Sequence, residues 1–365
     1  MGRLLKVARR DRVYIVLGFV LVSFNLMMFS AWLGTRSVER QEIARYASPE
    51  EAREYVEEAP VKTDLRGPKV EERARLIEEI SRENPMLYFL LAVVNLSIFF
   101  IILVGLILDA YLLIRARKKE PLDVRLASSE QVHWGVSDVL RAVIVFVFFG
   151  YLFAFLQAVL SGFFPILRNP NFRMISDTAF MGMAGIAVIF YFVFFKYAQG
   201  ASAIGLSRVH WGKAALTAAA GYAAVVPALV GIMVATFFVI RAIGYEPDPQ
   251  PIVEVFIEEK KVPILWMSTF FAAVFGPVAE EIFFRGFMYP AVKKKWGMAA
   301  GVLGTSVIFS LLHAHTVGFL PIMVLGVFLV YLYERTGSLV VPMIAHIIHN
   351  AGMIVLVFLA RGIGA

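Results

Sequence analysis

Long apolar stretches that contain almost no charged residues constrain this chain more than any other feature. Hydrophobic residues make up 59% of the 365 positions and charged residues only 17%, which is more apolar surface than a soluble core uses. About 20 apolar residues in a helix cross the roughly 30 Å of hydrocarbon in a bilayer. The sequence therefore predicts an all-α polytopic membrane protein whose solvent is lipid.

Nine stretches are long and apolar enough to be predicted as transmembrane helices. The seventh and eighth are short, and only the polar pair His315-Thr316 separates them. The nine predicted spans are residues 13–34, 87–114, 138–162, 178–200, 214–243, 264–284, 298–315, 317–333 and 339–361.

Basic residues flank these spans unequally. Arg and Lys cluster before the first span and in the loops that contain Arg115, Lys196 and Lys293. One loop on the opposite side carries an acidic stretch from Glu246 to Glu259. Because positive residues favour the cytoplasmic side, the sequence predicts a multi-pass protein of the cell membrane with a cytoplasmic N-terminus. The same clustering explains the net charge of +7, so no nucleic-acid partner is expected.

The chain is predicted to have two regions. Residues 1–126 contain the first two spans and a charged insert at 35–86, and residues 127–365 contain the other seven spans. Opposite charges recur three or four residues apart in the insert, which favours solvated helices. A substrate-docking lid outside the membrane is the alternative for this insert.

Ionisable side chains inside a span cost about 2.5 to 3.5 kcal/mol each on insertion scales, so they indicate function. The sixth span ends with Glu280, Glu281 and Arg285. Arg285 lies one helical turn beyond Glu281, in the favoured order for an ion pair. We therefore expect Glu281 to pair with Arg285, which leaves Glu280 free to act as a general base.

Imidazole and amide side chains follow in the seventh and ninth spans. His313 lies on the same helix face as Phe309, and His346 shares a face with Asn350 at a spacing of four residues. Two polar groups aligned on one face of an apolar helix indicate a site. Two further histidines are expected to have lesser roles, His315 as a hydrogen-bonded residue at a helix end and His349 in packing or support.

These residues suit hydrolysis of an amide bond in two ways. Glu280 and His313 could activate a water molecule while His346 and Asn350 donate to the developing oxyanion. Alternatively, Glu280, His313 and His346 could hold a divalent metal such as zinc. The chain contains no Cys, which excludes thiolate catalysis, thiolate zinc sites and structural disulfides.

Three ordered motifs resemble the CPBP intramembrane protease family, which includes the type II CAAX prenyl endopeptidases of the Rce1 type. The similarity covers roughly residues 138–365. The motifs are Glu280-Glu281-x-x-x-Arg285, Phe309-x-x-x-His313 and His346-x-x-x-Asn350, and the segment Tyr333-Glu334-Arg335-Thr336-Gly337-Ser338-Leu339 also looks like that family.

The resemblance implies a seven-helix catalytic core with a cavity that opens toward the cytosol. It implies that Glu280 and His313 activate water, that His346 and Asn350 stabilise the oxyanion, and that the ion pair supports them. Family members are usually classed as metalloproteases, although the chain has no HExxH motif. The implied partner besides lipid is a membrane-associated protein or peptide, for CAAX-type C-terminal processing or for bacterial peptide and surface-protein maturation.

Two other classes of protein fit part of the pattern. A proton-coupled transporter would also have many spans with intramembrane His and Glu, but its ionisable residues would be spread over two pseudo-symmetric halves. Here the intramembrane His and Glu are confined to the last four spans. A non-catalytic membrane scaffold that retained the fold is the other alternative, although such a protein is expected to have lost a motif residue.

Overall fold

The chain divides into two compact units, Met1–Leu76 and Ile77–Ala365. In the first unit, the described residues lie within the predicted span 13–34 and are helical, whereas most of the charged insert lies outside the described residues. The computed structural model describes residues 13, 14, 16–18, 21, 22, 25, 82, 84–118, 125, 126, 131–244, 251–313 and 315–362.

The second unit is built from α-helices, and its described residues contain no strand. This confirms the predicted all-α polytopic class. The helices are α1 (Pro85–Arg117), α2 (Val136–Leu160), α3 (Pro170–Phe190), α4 (Trp211–Ile243), α5 (Pro251–Glu258), α6 (Val262–Phe270), α7 (Gly276–Glu281), α8 (Tyr289–Leu312), α9 (Phe319–Thr336) and α10 (Val340–Gly362).

Short segments of π-helix and 3₁₀-helix extend or join these helices. The π-helical segments are Tyr191–Lys196 after α3, Phe271–Phe275 between α6 and α7, and Ile282–Met288 between α7 and α8. The 3₁₀ turns are Pro165–Arg168 and Ala201–Ile204. The region from α6 to α8 is therefore one helical run whose geometry changes repeatedly along its length.

Among the described residues, seven helical runs are long and apolar enough to cross a membrane, with mean hydropathy from 1.5 to 2.9. They correspond to eight of the nine predicted spans, because the run Val262–Leu312 contains 264–284 and all but the last three residues of 298–315. As a straight α-helix at 1.5 Å per residue, its 51 residues would extend about 76 Å, more than twice the hydrocarbon thickness. Gly297 interrupts this run with non-helical dihedral angles of φ 86° and ψ 173°.

Local sequence signals explain where several helices begin and end. Asn84 and Asn169 each accept a hydrogen bond from a first-turn backbone N–H, and a proline follows each of them at the first helical position. At the other end of α9, Gly337 adopts φ 68°. Such left-handed geometry is typical of a helix C-terminus and favours glycine.

The buried core joins the π-helical segment after α7 to its neighbours. Trp134 is fully buried, donates from Nε1 to the Phe287 carbonyl at 2.8 Å, and stacks on the Phe287 ring at 5.4 Å. Phe309 of α8 lies in the same core cluster. On another side, α1 packs on α4 so closely that a Cβ at Gly105 would overlap the Ala223 carbonyl oxygen. Helix α1 thus belongs to the second compact unit, and the predicted region boundary at residue 126 stays a prediction.

Gly297 allows a test of the break in the long run. We expect Gly297→Ala to lower the free energy of unfolding by about 1–3 kcal/mol, because side chains rarely tolerate this positive φ. Unfolding of the purified protein in detergent measures the change. The matched control is Gly231→Ala in α4, where a Cβ would meet no atom within 4 Å; this change should cost nothing and gain up to about 1 kcal/mol. Equal effects of the two substitutions would contradict the prediction.

Candidate active site

The two predicted glutamates lie on a short helix between two irregular segments. Helix α7 has six residues and ends at Glu281, with a π-helical segment on either side. π-Helical turns are rare and occur frequently at functional sites. The direction in which Glu280 and Glu281 point thus depends on the two π-helical segments as well as on the surrounding packing.

Glu281 forms the predicted ion pair with Arg285, at 2.6 Å between Oε1 and Nη1, which confirms that expectation. Both side chains are buried, with 0% and 1% of their surfaces exposed. The other terminal nitrogen of Arg285, Nη2, donates to the Gly326 carbonyl of α9 at 3.1 Å. The guanidinium also lies 4.6 Å from the centre of the Phe309 ring. These contacts offset part of the cost of removing two charges from water.

His346 of α10 lies between the two glutamates. Its Nδ1 is 2.9 Å from Glu281 Oε1, and its Nε2 is 3.8 Å from Glu280 Oε2. An ionised carboxylate only accepts hydrogen bonds, so Nδ1 carries the proton in this contact. The tautomer follows from the partner, and Nε2 is the nitrogen that faces Glu280.

Glu280 is the more accessible glutamate. Its side chain is 36% exposed, compared with 0% for Glu281. Its Oε2 atom is buried and makes no hydrogen bond to the residues that the structure describes. At 3.8 Å, the contact with His346 is too long for a direct hydrogen bond. Glu280 therefore offers a carboxylate oxygen with unused acceptor capacity beside an imidazole.

Asn350 lies one turn beyond His346 on α10 and contacts the same helical run. Its Nδ2 donates to the Ala272 carbonyl at 2.9 Å, within the first π-helical segment. The prediction that His346 and Asn350 share a helix face is confirmed, because both bond to the run from Phe271 to Glu281. Two side chains thus fix α10 against the element that carries the glutamates.

His313 is placed differently from the other predicted site residues. It directly follows α8, is exposed, and bonds through Nδ1 to the Phe309 carbonyl at 2.7 Å. The Phe309 ring lies 4.7 Å from the His313 ring and 5.8 Å from the His346 ring, measured between centres. The contact from His313 to the cluster therefore runs through Phe309. Its catalytic role stays a prediction.

The predicted metal-ligand set of Glu280, His313 and His346 does not fit a metal site in this geometry. No group of three or more His, Asp or Glu side chains within the described ranges is arranged to hold a metal ion. The Nδ1 atoms of both histidines are engaged in hydrogen bonds. A three-ligand zinc site would require donors that converge on one point, so no chemical step is assigned to a metal below.

The other two intramembrane histidines have the lesser contacts that were expected. His315 Nδ1 accepts from the Gly318 backbone N–H at 2.9 Å, and His349 Nδ1 lies 3.1 Å from the Tyr222 hydroxyl of α4. Sequence reasoning missed the Gly326 carbonyl, since every residue carries a carbonyl group and the pattern gives no sign of which one is used. A cleft of about 570 Å³ is lined by none of the predicted site residues.

The buried ion pair allows a stability prediction. Arg285→Met should lower the free energy of unfolding by about 3–5 kcal/mol, because it leaves the buried Glu281 carboxylate uncompensated. The double variant Glu281→Gln/Arg285→Met should cost less than the sum of the single changes, since no unpaired charge remains. Denaturant unfolding in detergent micelles measures all three variants.

The control for this cycle is the more exposed ion pair of Lys293 with Glu334, at 2.6 Å. Lys293→Met should change stability by only about 0–1 kcal/mol, because solvent screens this pair. If the buried and the exposed pair responded alike, the described burial of Glu281 and Arg285 would be wrong.

Comparison with known proteins gives two findings. Residues 262–352 match the family described as "Type II CAAX prenyl endopeptidase Rce1-like". The "Putative membrane peptidase YdiL" of Bacillus subtilis (strain 168) is 32% identical over 85 residues, which are 23% of this chain and 35% of that protein. The chain thus spans about a third of the length of this curated relative. No solved structure matches.

The match covers the part of the chain that contains all six predicted site residues. It begins at the first residue of α6 and ends within α10, so it includes the irregular helical run and the helix that bonds to it. Together with the ordered motifs, this match shows that residues 262–352 are similar to the Rce1-like family.

Proposed function

We propose that this protein is an intramembrane endopeptidase that hydrolyses a peptide bond in a membrane-associated protein or peptide. The observation that carries the proposal is the placement of His346 between Glu280 and the buried Glu281–Arg285 pair. The Rce1-like match over the same residues supports the reaction class. A multi-pass membrane protein with such a site is suited to substrates that lie in or on the bilayer.

Glu280 is the proposed general base. It is partly exposed, its Oε2 has unused acceptor capacity, and it is the glutamate that is not ion-paired with Arg285. In the proposed reaction, Glu280 takes a proton from water, and the resulting hydroxide attacks the peptide carbonyl carbon. The same proton then passes to the leaving amine as the C–N bond breaks. His313, as the resemblance implies, assists in orienting this water.

Two donors on α10 are proposed to stabilise the oxyanion that forms on the peptide carbonyl. The Asn350 amide has two N–H groups, and one of them bonds to the Ala272 carbonyl. The second is proposed to bond the oxyanion. His346 keeps its own proton on Nδ1, toward Glu281. Its Nε2, which faces Glu280, is therefore the nitrogen that is proposed to take a second proton from solvent and to donate that N–H to the oxyanion. Donors held before the reaction in a site of low dielectric constant stabilise developing charge more than donors in water do.

Location and substrate extend the same proposal. We propose that the N-terminus lies in the cytoplasm and that the site faces the cytoplasmic side of the cell membrane, because basic residues cluster in the loops predicted for that side. The substrate belongs to one of two groups, proteins processed at a C-terminal CAAX-type tail or bacterial peptides and surface proteins that are matured by cleavage. The family description favours testing prenylated tails first.

The catalytic role of Glu280 gives a direct test. Glu280→Gln should reduce cleavage by about 10²–10⁴-fold, because the amide cannot accept the proton from water. The assay uses purified protein in proteoliposomes with quenched-fluorescent membrane peptides, with and without a prenylated C-terminal tail. Glu254→Gln is the matched control, since Glu254 is exposed on α5, and it should retain full activity. Wild-type activity in Glu280→Gln would refute the hydrolase proposal.

Zinc assistance by Glu280, His313 and His346 remains the competing proposal for how water is activated. The described donor geometry favours activation by protein groups alone. Dialysis against a zinc chelator should therefore leave the cleavage rate unchanged, and metal analysis of the active protein should show less than one bound metal per chain. Loss of activity on chelation, with recovery on addition of zinc, would establish the metal-dependent reaction instead.

A further inference from the structure

Helices α8 and α9 approach each other most closely at Gly326. A Cβ at this position would lie 3.0 Å from Ser306 Cβ and 3.2 Å from both Ser306 Cα and Oγ. Distances of this size are shorter than ordinary van der Waals contacts, so even a methyl group would push the helices apart. Both residues are buried, and Ser306 is fully inaccessible. The contact at Gly326 thus sets how near the α9 backbone comes to α8.

This closeness brings the Gly326 carbonyl to Arg285. The carbonyl accepts from Nη2 at 3.1 Å, while Nη1 of the same guanidinium donates to Glu281 at 2.6 Å. The planar guanidinium is therefore held at two nitrogens by two different helical elements. A displacement of α9 would break the bond from Nη2 to the Gly326 carbonyl. The guanidinium would then be free to rotate about its remaining bond to Glu281.

Glu281 transmits this constraint to His346. One oxygen, Oε1, accepts both from Arg285 Nη1 and from His346 Nδ1. The orientation of this carboxylate consequently decides whether the Nδ1–H bond forms. Without that bond, neutral imidazole is free to carry its proton on Nε2 instead, and the nitrogen that faces Glu280 would change its chemical character.

We propose that Gly326 is a positioning residue whose missing side chain fixes, through Arg285 and Glu281, the Nδ1–H tautomer and ring orientation of His346. This inference rests on the proposed function, since its purpose is to present Nε2 to Glu280 and the peptide carbonyl. Gly326 lies away from the reacting atoms, but a change there would displace His346. Small displacements of a reacting group reduce catalytic rates strongly. Gly326 itself touches neither the substrate nor the attacking water.

The experiment compares Gly326→Ala with Gly304→Ala. Gly304 lies on α8, where a Cβ would meet no atom within 4 Å. The first readout is the ¹⁵N spectrum of histidine-labelled protein in detergent, at a pH where imidazole is neutral; the chain has 6 His, and His346→Gln assigns the signal. Wild type and Gly304→Ala should show Nδ1–H at His346, whereas Gly326→Ala should show a mixture with Nε2–H. The second readout is kcat, expected to fall about tenfold or more only in Gly326→Ala.

Two further variants separate positioning from simple destabilisation. Ser306→Gly removes Cβ and Oγ, two of the three atoms closest to the added methyl, and leaves Cα at 3.2 Å. Ser306→Gly/Gly326→Ala should therefore recover part of kcat and of the Nδ1–H signal. In Arg285→Lys, the side chain has a single nitrogen instead of the two that bond to Glu281 and Gly326. This variant should give the tautomer mixture expected of Gly326→Ala, and it provides the test even if Gly326→Ala fails to fold. A pure Nδ1–H signal in folded Gly326→Ala or Arg285→Lys would overturn the proposal. The spectrum requires no substrate, so absence of cleavage by wild type would count against the proposed function alone.

Discussion

The buried ion pair of Glu281 and Arg285 is the interaction on which the rest of the site depends. Two charges with almost no solvent contact are expensive inside a membrane protein, and they persist only where further polar groups compensate them. Here the compensation comes from three different elements: the Gly326 carbonyl of α9, the His346 ring of α10 and the Phe309 face of α8. Contacts with this one pair therefore bring four helical elements together at one place.

The polar contacts of α10 give that meeting point its chemical character. His346 bonds to the ion-paired glutamate with one nitrogen and presents the other to Glu280. Asn350 fixes the same helix to the Ala272 carbonyl, one turn away. Apolar residues near the start of α10, such as Val341 and Ala345, pack against α4, and His349 adds a polar contact there with Tyr222. The orientation of Glu280, His346 and Asn350 is thus built into the interhelical packing.

Sequence reasoning reached the spans and the ion pair because both depend on local spacing. Apolar runs and a Glu-to-Arg distance of four residues are visible in the sequence alone, and the structure confirms them. The placement of His313 was less predictable, since the end of α8 directs Nδ1 to its own Phe309 carbonyl. The predicted metal site required His313 to converge with Glu280 and His346, so it depended on that placement. The Gly326 contact has no polar side chain at all, so only the packed structure reveals it.

The π-helical segments on either side of α7 limit the sequence changes that the site can tolerate. Each π turn contains one residue more than the regular α-helix, and residues beyond it are rotated by about 100° relative to the unbroken register. Loss of a single residue from Phe271–Phe275 or Ile282–Met288 would remove that extra residue and restore the α-helical register. It would nevertheless turn Glu280 and Arg285 away from their partners. The number of residues in this helical run thus determines which side chains face the site, as much as their chemical identity does. Insertions and deletions there should therefore be far less tolerated than substitutions.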